Sequence, residues 1–242
     1  MMEPADLTQL WVYLSTKPLT GLTITLVAYA IGFWLYQKSN RNPVCNPVVI
    51  AIAIIAAILH FTGTPYSVYF DGAQFVHFLL GPATVALAVP LFRQMETLKR
   101  ALPVIIFGVL FGSLMATAST VAIAHLLGAS METLASLAPK SVTTPVAMGI
   151  AKEIGGVPAL TAVCVIVTGI VGATLGPAVM NMIGLTDWRA RGFAMGVAAH
   201  GIGTARAFQV NQTAGAFSGL SMGLNTIATA LTVPFLWHWL FG

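Results

Sequence analysis

The chain has few charged residues: eleven Lys and Arg and seven Asp and Glu make up only 7% of its 242 residues. An ordinary soluble domain carries about 25%, so this shortage excludes a soluble globular enzyme. Hydrophobic residues make up 57%, which excludes intrinsic disorder, because disordered chains have low hydrophobicity. The apolar runs are continuous, as over 101–127 and 158–184, whereas a membrane β-barrel has alternating segments of about 10 residues. We therefore expect an all-α polytopic membrane protein.

Cysteine is scarce, and the sequence patterns of enzymes are absent. Cys45 and Cys164 are the only cysteines and lie in no CxxC or Cys/His pattern, so we expect neither a disulfide nor a metal site. The chain has no Ser/His/Asp constellation, HExxH motif or P-loop. We therefore expect no catalytic residues, no cofactor and no enzymatic activity. The basic residues lie in short loops between apolar runs, so the net charge of +4 does not indicate nucleic-acid binding.

Long apolar runs predict about seven membrane-spanning helices. A membrane helix needs about 20 mostly apolar residues. The candidate spans are 18–37, 46–62, 73–92, 101–127, 158–184, 191–211 and 214–240. One further segment is too short to cross: eleven residues separate Lys140 from Lys152, and Pro145 interrupts them. We predict a re-entrant or broken half-helix near 137–153 that lines a cavity, because non-helical backbone at membrane depth needs protein or water beside it.

The distribution of basic residues predicts the orientation of the chain. Three loops hold seven of the eleven basic residues. These are Lys38 and Arg41, then Arg93, Lys99 and Arg100, and finally Arg189 and Arg191. The positive-inside rule places all three loops in the cytoplasm. Counting the predicted spans then puts the N-terminus outside and the C-terminus in the cytoplasm.

Two short strings recur at nearly equal offsets within what we interpret as a single transmembrane domain, 1–242. Residues 44–48 match 142–146 at an offset of 98, and residues 81–83 match 176–178 at an offset of 95. This recurrence indicates repeat halves at about 18–100 and 101–242. Short Gly/Pro-interrupted segments at corresponding positions of two halves are typical of a transporter site. The alternative is coincidence in a chain with 23 Gly and 13 Pro.

The segment from Lys140 to Pro145 has the pattern of an anion-binding helix start. Thr144 followed by Pro145 is typical of a hydroxyl N-cap and a first helical residue. The free N–H groups and the positive dipole end of such a helix attract anions. Ser141, Thr143 and Thr144 add hydroxyl groups, and Lys140 adds a cation. We predict that these residues bind a small carboxylate; the alternative is an ordinary capped helix in a loop.

A second candidate element runs from His200 to Arg206. An arginine inside a membrane segment costs at least ~2.5–3.5 kcal/mol, so it needs a partner or a water path. His200 and Thr204 share a helix face, and Gly201 and Gly203 permit a break that would bring Arg206 to the same cavity. We predict that these residues bind substrate, with Arg206 on a carboxylate and His200 as a hydrogen-bond donor or proton carrier. Alternatively, Arg206 extends to a nearby interface.

Both segments resemble the LrgB/CidB family. The strings that carry the resemblance are Pro139-Lys140-Ser141-Val142-Thr143-Thr144-Pro145, Ile154-Gly155-Gly156, His200-Gly201-Ile202-Gly203-Thr204-Ala205-Arg206 and, more loosely, residues 215–222. The resemblance covers essentially the whole chain. It implies a bacterial inner-membrane protein that acts with a separate, small LrgA/CidA-like membrane protein. It also implies one of two roles: holin/antiholin-type control of murein hydrolase export and cell lysis, or transport of small carboxylates such as glycolate, glycerate or pyruvate.

The residues themselves favour transport. A hydroxyl-rich half-helix, a breakable helix with His and Arg, and two Gly/Pro-interrupted halves are features of secondary transporters, which work by alternating access around a site near the membrane midplane. The expected substrates are small 2-hydroxy or 2-oxo monocarboxylates, with His200 as the candidate for proton coupling. The alternative lysis regulator requires oligomerisation and partner surfaces, which glycines spaced by four, such as Gly172 and Gly176, would permit. The sequence is therefore also compatible with a homo-oligomer.

Overall fold

The computed structural model describes residues 18–40, 42, 45–79, 82, 85–86, 88–93 and 95–241, and most of them are helical. The helices are α1 (Pro18–Lys38), α2 (Pro47–Thr62), α3 (Tyr66–Phe78), α4 (Ala88–Arg93), α5 (Met95–Leu126), α6 (Met131–Leu137), α7 (Thr144–Glu153), α8 (Pro158–Met182), α9 (Trp188–Val210) and α10 (Gln212–Phe241). Among the described residues, α1, α5, α8 and α10 are long and apolar enough to cross a membrane, and α2 is a shorter apolar helix. The predicted class, an all-α polytopic membrane protein, is confirmed.

Large apolar side chains cover the outside of the crossing helices. Val104, Phe107, Leu231 and Phe235 are each more than 70% exposed. Exposing such a surface to water would cost free energy, whereas exposing it to lipid tails would not. The buried positions instead hold many small or polar residues, which let the helices approach one another closely.

The chain divides into two compact units, residues 1–86 and 87–242. In the first unit α1 packs against α2 and α3. α2 begins at Pro47, where the Asn46 side chain accepts a hydrogen bond from the Val48 N–H (2.9 Å), and it ends at Gly63, whose φ of 63° suits glycine. Residues 41, 44, 81 and 83, which carry part of the predicted repeat and one predicted basic loop, lie outside the described residues. The repeat therefore stays a prediction.

Three long helices frame the second unit. Ile105 of α5 packs in one cluster with Phe217 of α10, and further along both helices the Ser113 hydroxyl bonds the Thr229 hydroxyl (2.7 Å). α5 and α10 therefore run in the same direction. α8 runs in the opposite direction, since it follows α5 and returns the chain to the end where α10 begins. The two remaining parts of this unit, residues 131–153 and 188–210, pack between these helices.

The predicted span over 191–211 is instead a helical hairpin. α9 is helical on both sides of His200, whose backbone (φ 40°, ψ −132°) is far from helical. A methyl group placed on Gly203 would lie 2.7 Å from the carbonyl oxygen of Met195. Eight residues of a straight helix would separate these two positions by about 12 Å. Residues 201–210 therefore fold back against 188–199, and we call 188–210 the second hairpin.

Contacts with α10 show the same reversal. The first half of the hairpin runs along α10 in the same direction. Its contacts are Gly192 with Ala214, Gly196 with Ser218, and Val197 with Asn225. The second half runs back toward the start of α10. Its contacts are Thr204 with Ser218 and Phe208 with Gly215. The second hairpin thus begins at the Ala214 end of α10, turns at His200 and returns to that same end.

Residues 131–153, which we call the first hairpin, enter from the other end. α6 begins at Ser130, whose hydroxyl accepts from the Thr133 N–H (3.3 Å). After the turn at 138–143 and α7, the chain returns beside α6, where the Val157 N–H donates to the Ser136 hydroxyl (2.8 Å). Its core includes Val233 near the end of α10. The predicted re-entrant segment near 137–153 agrees with this arrangement.

The second hairpin also changes the predicted topology. Arg100 and Arg189 line one cavity of about 360 Å³, so two of the basic loops lie on the same side, as the positive-inside rule predicts. α10 starts on that side and crosses to the other. The C-terminal end of α10 therefore lies opposite these basic loops, whereas the predicted topology put it on the same side. The difference arises because 188–210 returns to the side from which it came.

The reversal at His200 predicts an unusual order of stability for two variants. In a helix interior, Gly is about 1 kcal/mol less favourable than Ala. At a positive φ, Gly avoids the steric strain that every L-residue bears, which costs on the order of 1–3 kcal/mol. We therefore expect His200→Gly to unfold at a higher temperature than His200→Ala in detergent. The difference in the free energy of unfolding between these two variants should be about 1–2 kcal/mol.

Ala198, an exposed helical residue two positions earlier, supplies the matched control. Ala198→Gly should lower the unfolding temperature relative to the unmodified chain, as in any helix. If His200→Gly were also less stable than His200→Ala, α9 would be a continuous helix and the hairpin would be wrong.

Candidate functional site

The two hairpins meet at the middle of α10. Asn225 is the fourteenth of the 30 residues of this helix, about 20 Å from its start, and only 1% of it is exposed. Its Nδ2 group donates to the carbonyl oxygen of Ser141 (3.2 Å) at the tip of the first hairpin. It also donates to that of Val197 (3.3 Å), just before the tip of the second. One side chain thus joins the candidate segments around 141 and 200.

The start of α7 brings four predicted site residues to this point. Thr143 is the N-cap and Thr144 the first helical residue, one position earlier than predicted. The Thr143 hydroxyl makes no capping hydrogen bond, so it stays available to another partner. Pro145 at the second helical position has no N–H group, which leaves the N–H groups of Thr144 and Val146 at the open end of the helix. With the helix dipole, these groups favour an anion beside Ser141.

Lys140 places a positive charge next to the helix start. Its Nζ donates to the Ser141 hydroxyl (3.4 Å). Asn225 bonds the carbonyl oxygens of both Ser141 and Val197, which lies three residues before His200, so residues of both candidate segments lie in one region. No cluster of three His, Cys, Asp or Glu side chains suited to a metal occurs in the part of the chain that the structure describes.

His200 and Thr204 form the other wall of the site. The His200 ring is buried, and its Nε2 bonds the carbonyl oxygen of Val165 (2.9 Å). Since a carbonyl oxygen only accepts, Nε2 carries the proton and Nδ1 is the ring atom that can take another. The Thr204 hydroxyl donates to the His200 carbonyl (2.8 Å) and lies 2.9 Å from the Ser218 hydroxyl. Thr204 therefore connects the turn at His200 to α10.

Gly201 and Gly203 flank the turn in different ways. Gly203 lies where the two halves of the hairpin touch, and a side chain there would collide with the Met195 carbonyl. Gly201 is exposed and has open space around its Cα. The predicted break is therefore present, although its non-helical residue is His200 rather than a glycine.

Arg206 lies apart from the other predicted site residues. Its side chain lines a cavity of about 40 Å³ at the base of the second hairpin, together with Trp188 and Arg191. Arg191 donates to the carbonyl oxygen of Leu185 and to Asn181 Oδ1 (2.8 Å each). The described contacts thus bring His200 and Thr204 together with Lys140 and Ser141, but they leave Arg206 at the base of the hairpin with Arg191.

Two residues of this site, Asn225 and Ser218, were not predicted from the sequence. Both are buried polar residues on α10. An asparagine at the centre of a long apolar helix is itself a signal, because polar groups inside the membrane are costly and need partners. Ser218 belongs to the looser family string at 215–222, whose hydroxyl groups could have been counted.

The base of the second hairpin is fixed by a charged cap. Asp187 accepts a hydrogen bond from the Arg189 N–H (2.8 Å), and its carboxylate pairs with the Arg189 guanidinium (2.6 Å). Hydrogen bonds from the Arg189 side chain and backbone lower the pKa of Asp187 from 3.8 to about 2. The carboxylate therefore stabilises the folded protein above pH ~4, and this contribution disappears as the pH falls toward ~2.

This cap predicts a pH-dependent difference between the unmodified chain and Asp187→Asn. Asparagine keeps a capping oxygen but removes the charge. We expect the unmodified chain to unfold at a higher temperature by a constant amount above about pH 5, with the difference closing toward about pH 2. A difference that persists unchanged at the lowest pH would contradict the charged cap.

Comparisons with known proteins identify the family of the chain. The model of the LrgB-like family matches residues 25–239. The chain is 37% identical over 218 residues to the uncharacterized protein YwbG of Bacillus subtilis, covering 90% of this chain and 96% of YwbG. It is 31% identical over 215 residues to the "Holin-like protein CidB" of Staphylococcus epidermidis, covering 89% of this chain and 93% of that protein. No solved structure matches. The expected resemblance is thus confirmed, and the chain belongs to the LrgB-like family.

Proposed function

We propose that the chain is a secondary transporter, or a transporter subunit, for small 2-hydroxy or 2-oxo monocarboxylates such as glycolate, glycerate or pyruvate. The observation that carries the proposal is the meeting of two hairpin tips, from opposite sides, at the middle of α10. Transporter sites lie near the membrane midplane between broken helices whose ends face the ligand.

A small carboxylate suits the chemistry of this meeting point. The open N–H groups of α7, the Lys140 ammonium group and the free Thr143 hydroxyl are all donors. A carboxylate has only acceptors and one negative charge, so it matches these groups.

The hairpins also supply a route to alternating access. Each one enters from one side of the second unit and ends at the site, so displacement of either hairpin would open the site to one side only. His200 lies at the tip of the second hairpin and is our candidate for carrying a coupled proton through Nδ1. Arg206, at the base of the same hairpin, would attract the anion toward the site from the side of the basic loops.

We place the protein in the bacterial inner membrane, with the loops that hold Arg100 and Arg189 in the cytoplasm. The S. epidermidis relative is named a holin-like CidB protein, which agrees with action beside a small LrgA/CidA-like membrane partner. That name also favours a second candidate function, a holin/antiholin-type regulator of murein hydrolase export and lysis. A holin-like assembly would make the bilayer leaky, whereas a carrier moves its substrate without leaking other solutes.

Uptake of labelled glycolate and pyruvate into vesicles tests the proposal. The chain would be assayed alone, with its small partner, and as Lys140→Gln with that partner. We expect saturable uptake that falls at least about tenfold in Lys140→Gln, because a charge-assisted hydrogen bond to the carboxylate contributes about 1.5–3 kcal/mol. Lys152→Gln is the matched control, since Lys152 is exposed at the far end of α7 and should not matter.

Two further outcomes of this experiment distinguish the binding position of the carboxylate and the two candidate functions. If uptake falls in Arg206→Gln but survives in Lys140→Gln, the carboxylate binds at the base of the second hairpin rather than at the tips. If no vesicle takes up either acid but all of them release a trapped dye, the holin-like function is favoured and the transporter proposal fails.

A further inference from the structure

The amide nitrogen of Asn225 donates hydrogen bonds, whereas its amide oxygen accepts none from the described residues. Its Nδ2 donates to the carbonyl oxygens of Ser141 and Val197. Its Oδ1 is buried and has no hydrogen-bond partner in the part of the chain that the structure describes. Buried polar atoms in proteins are nearly always paired, so such an exception requires an explanation.

The orientation of the amide follows from its neighbours. An amide can be turned over so that its oxygen and nitrogen exchange places. Here that exchange would put Oδ1 against two carbonyl oxygens, which only accept hydrogen bonds. The two hairpin tips therefore hold Asn225 with Nδ2 toward them, and its buried oxygen still lacks a donor among the described residues.

None of the chain's own donors at this site reaches Oδ1 in the described residues. The Thr204 hydroxyl donates to the His200 carbonyl and contacts Ser218, and the Lys140 ammonium group donates to the Ser141 hydroxyl. A bound metal cation is disfavoured, because the charge of Lys140 lies beside the same serine that Asn225 bonds. A neutral hydroxyl group is the donor that suits an uncharged oxygen near a fixed positive charge.

We propose that Asn225 selects hydroxy acids, by accepting a hydrogen bond from the 2-hydroxyl of the bound monocarboxylate through Oδ1. This inference rests on the proposed function and extends it to a specificity-determining residue. Ser141 contacts both proposed ligand-binding groups, since its carbonyl oxygen accepts from Asn225 Nδ2 and its hydroxyl accepts from Lys140 Nζ. A carboxylate at Lys140 and the start of α7 would thus place the adjacent hydroxyl near Oδ1.

A 2-oxo acid would be rejected at the same position. Its oxo oxygen is an acceptor, so it would face Oδ1 without a proton between them and leave the buried amide oxygen unpaired. A site that hydrogen-bonds a substrate hydroxyl discriminates strongly against an analogue that cannot donate. For one neutral hydrogen bond we expect about ten- to hundredfold weaker binding of the oxo acid.

Binding of lactate and pyruvate to the purified full chain tests this selection. The two acids have the same number of carbons and differ at C2, a hydroxyl in one and an oxo group in the other. Ligand-dependent increases in unfolding temperature give Kd for each acid without any need for transport. We expect Kd for lactate to be about ten- to hundredfold lower than for pyruvate, and Asn225→Leu to reduce this ratio to about one.

Two variants separate the roles of the amide. Asn225→Asp keeps an oxygen at the Oδ1 position but replaces the Nδ2 donor with a second acceptor and adds a negative charge. It should therefore weaken the fold and the binding of both acids while keeping lactate the tighter ligand. Thr229→Val is the matched control on the same helix. Thr229 is buried and bonded to Ser113 rather than to either hairpin, so this change should leave the Kd ratio unaltered.

Each outcome decides a different question. A lower Kd for lactate that disappears in Asn225→Leu supports the selection. Equal Kd values in the unmodified chain, or tighter binding of pyruvate, overturn it while leaving carboxylate transport intact, and this result needs no variant to fold. If neither acid raises the unfolding temperature and neither is taken up by vesicles, the proposed function itself fails.

Discussion

The amide of Asn225 joins the two places where the chain changes direction inside the second unit. A backbone group without a partner at membrane depth costs several kcal/mol, so broken helices persist there only where protein or water satisfies them. Ser141 lies in the turn of the first hairpin and Val197 precedes the turn of the second, and their carbonyl groups share one donor on α10. The frame of α5, α8 and α10 holds that donor in place.

Two hairpins that meet tip to tip also produce a polar site whose two sides carry partial charges of opposite sign. α7 presents its N-terminal N–H groups, and the first half of α9 presents its C-terminal carbonyl groups, so partial charges of both signs meet at the middle of α10. Such a site can hold a carboxylate at one end and a neutral donor at the other. The close packing of Gly169 against His200 and of Gly172 against Ala199 keeps the second tip beside α8.

Composition and run length were enough to predict the fold class, because the shortage of charge leaves no other solution. The spacing of Lys140 and Lys152 also predicted a segment that cannot cross. Run length failed for 191–211, since two half-helices in a hairpin have the same length and hydrophobicity as one span. Only the backbone of His200 distinguishes the two, and Gly201 and Gly203 indicated that a break was permitted without fixing the direction of the chain. Asn225 was missed because its importance depends on contacts with carbonyl groups 28 and 84 residues away.

The measurement that tests this account most directly is the labelling of single cysteines with a membrane-impermeant thiol reagent, applied to one face of the membrane at a time. Cys45 and Cys164 would first be replaced, and cysteines placed singly at Thr186 and Gln212, which flank the second hairpin, and at Ala129 and Gly155, which flank the first. We expect Thr186 and Gln212 to react from one face, and Ala129 and Gly155 from the other. Reaction of Thr186 and Gln212 from opposite faces would make 188–210 a single span and would contradict the meeting of two hairpins at Asn225.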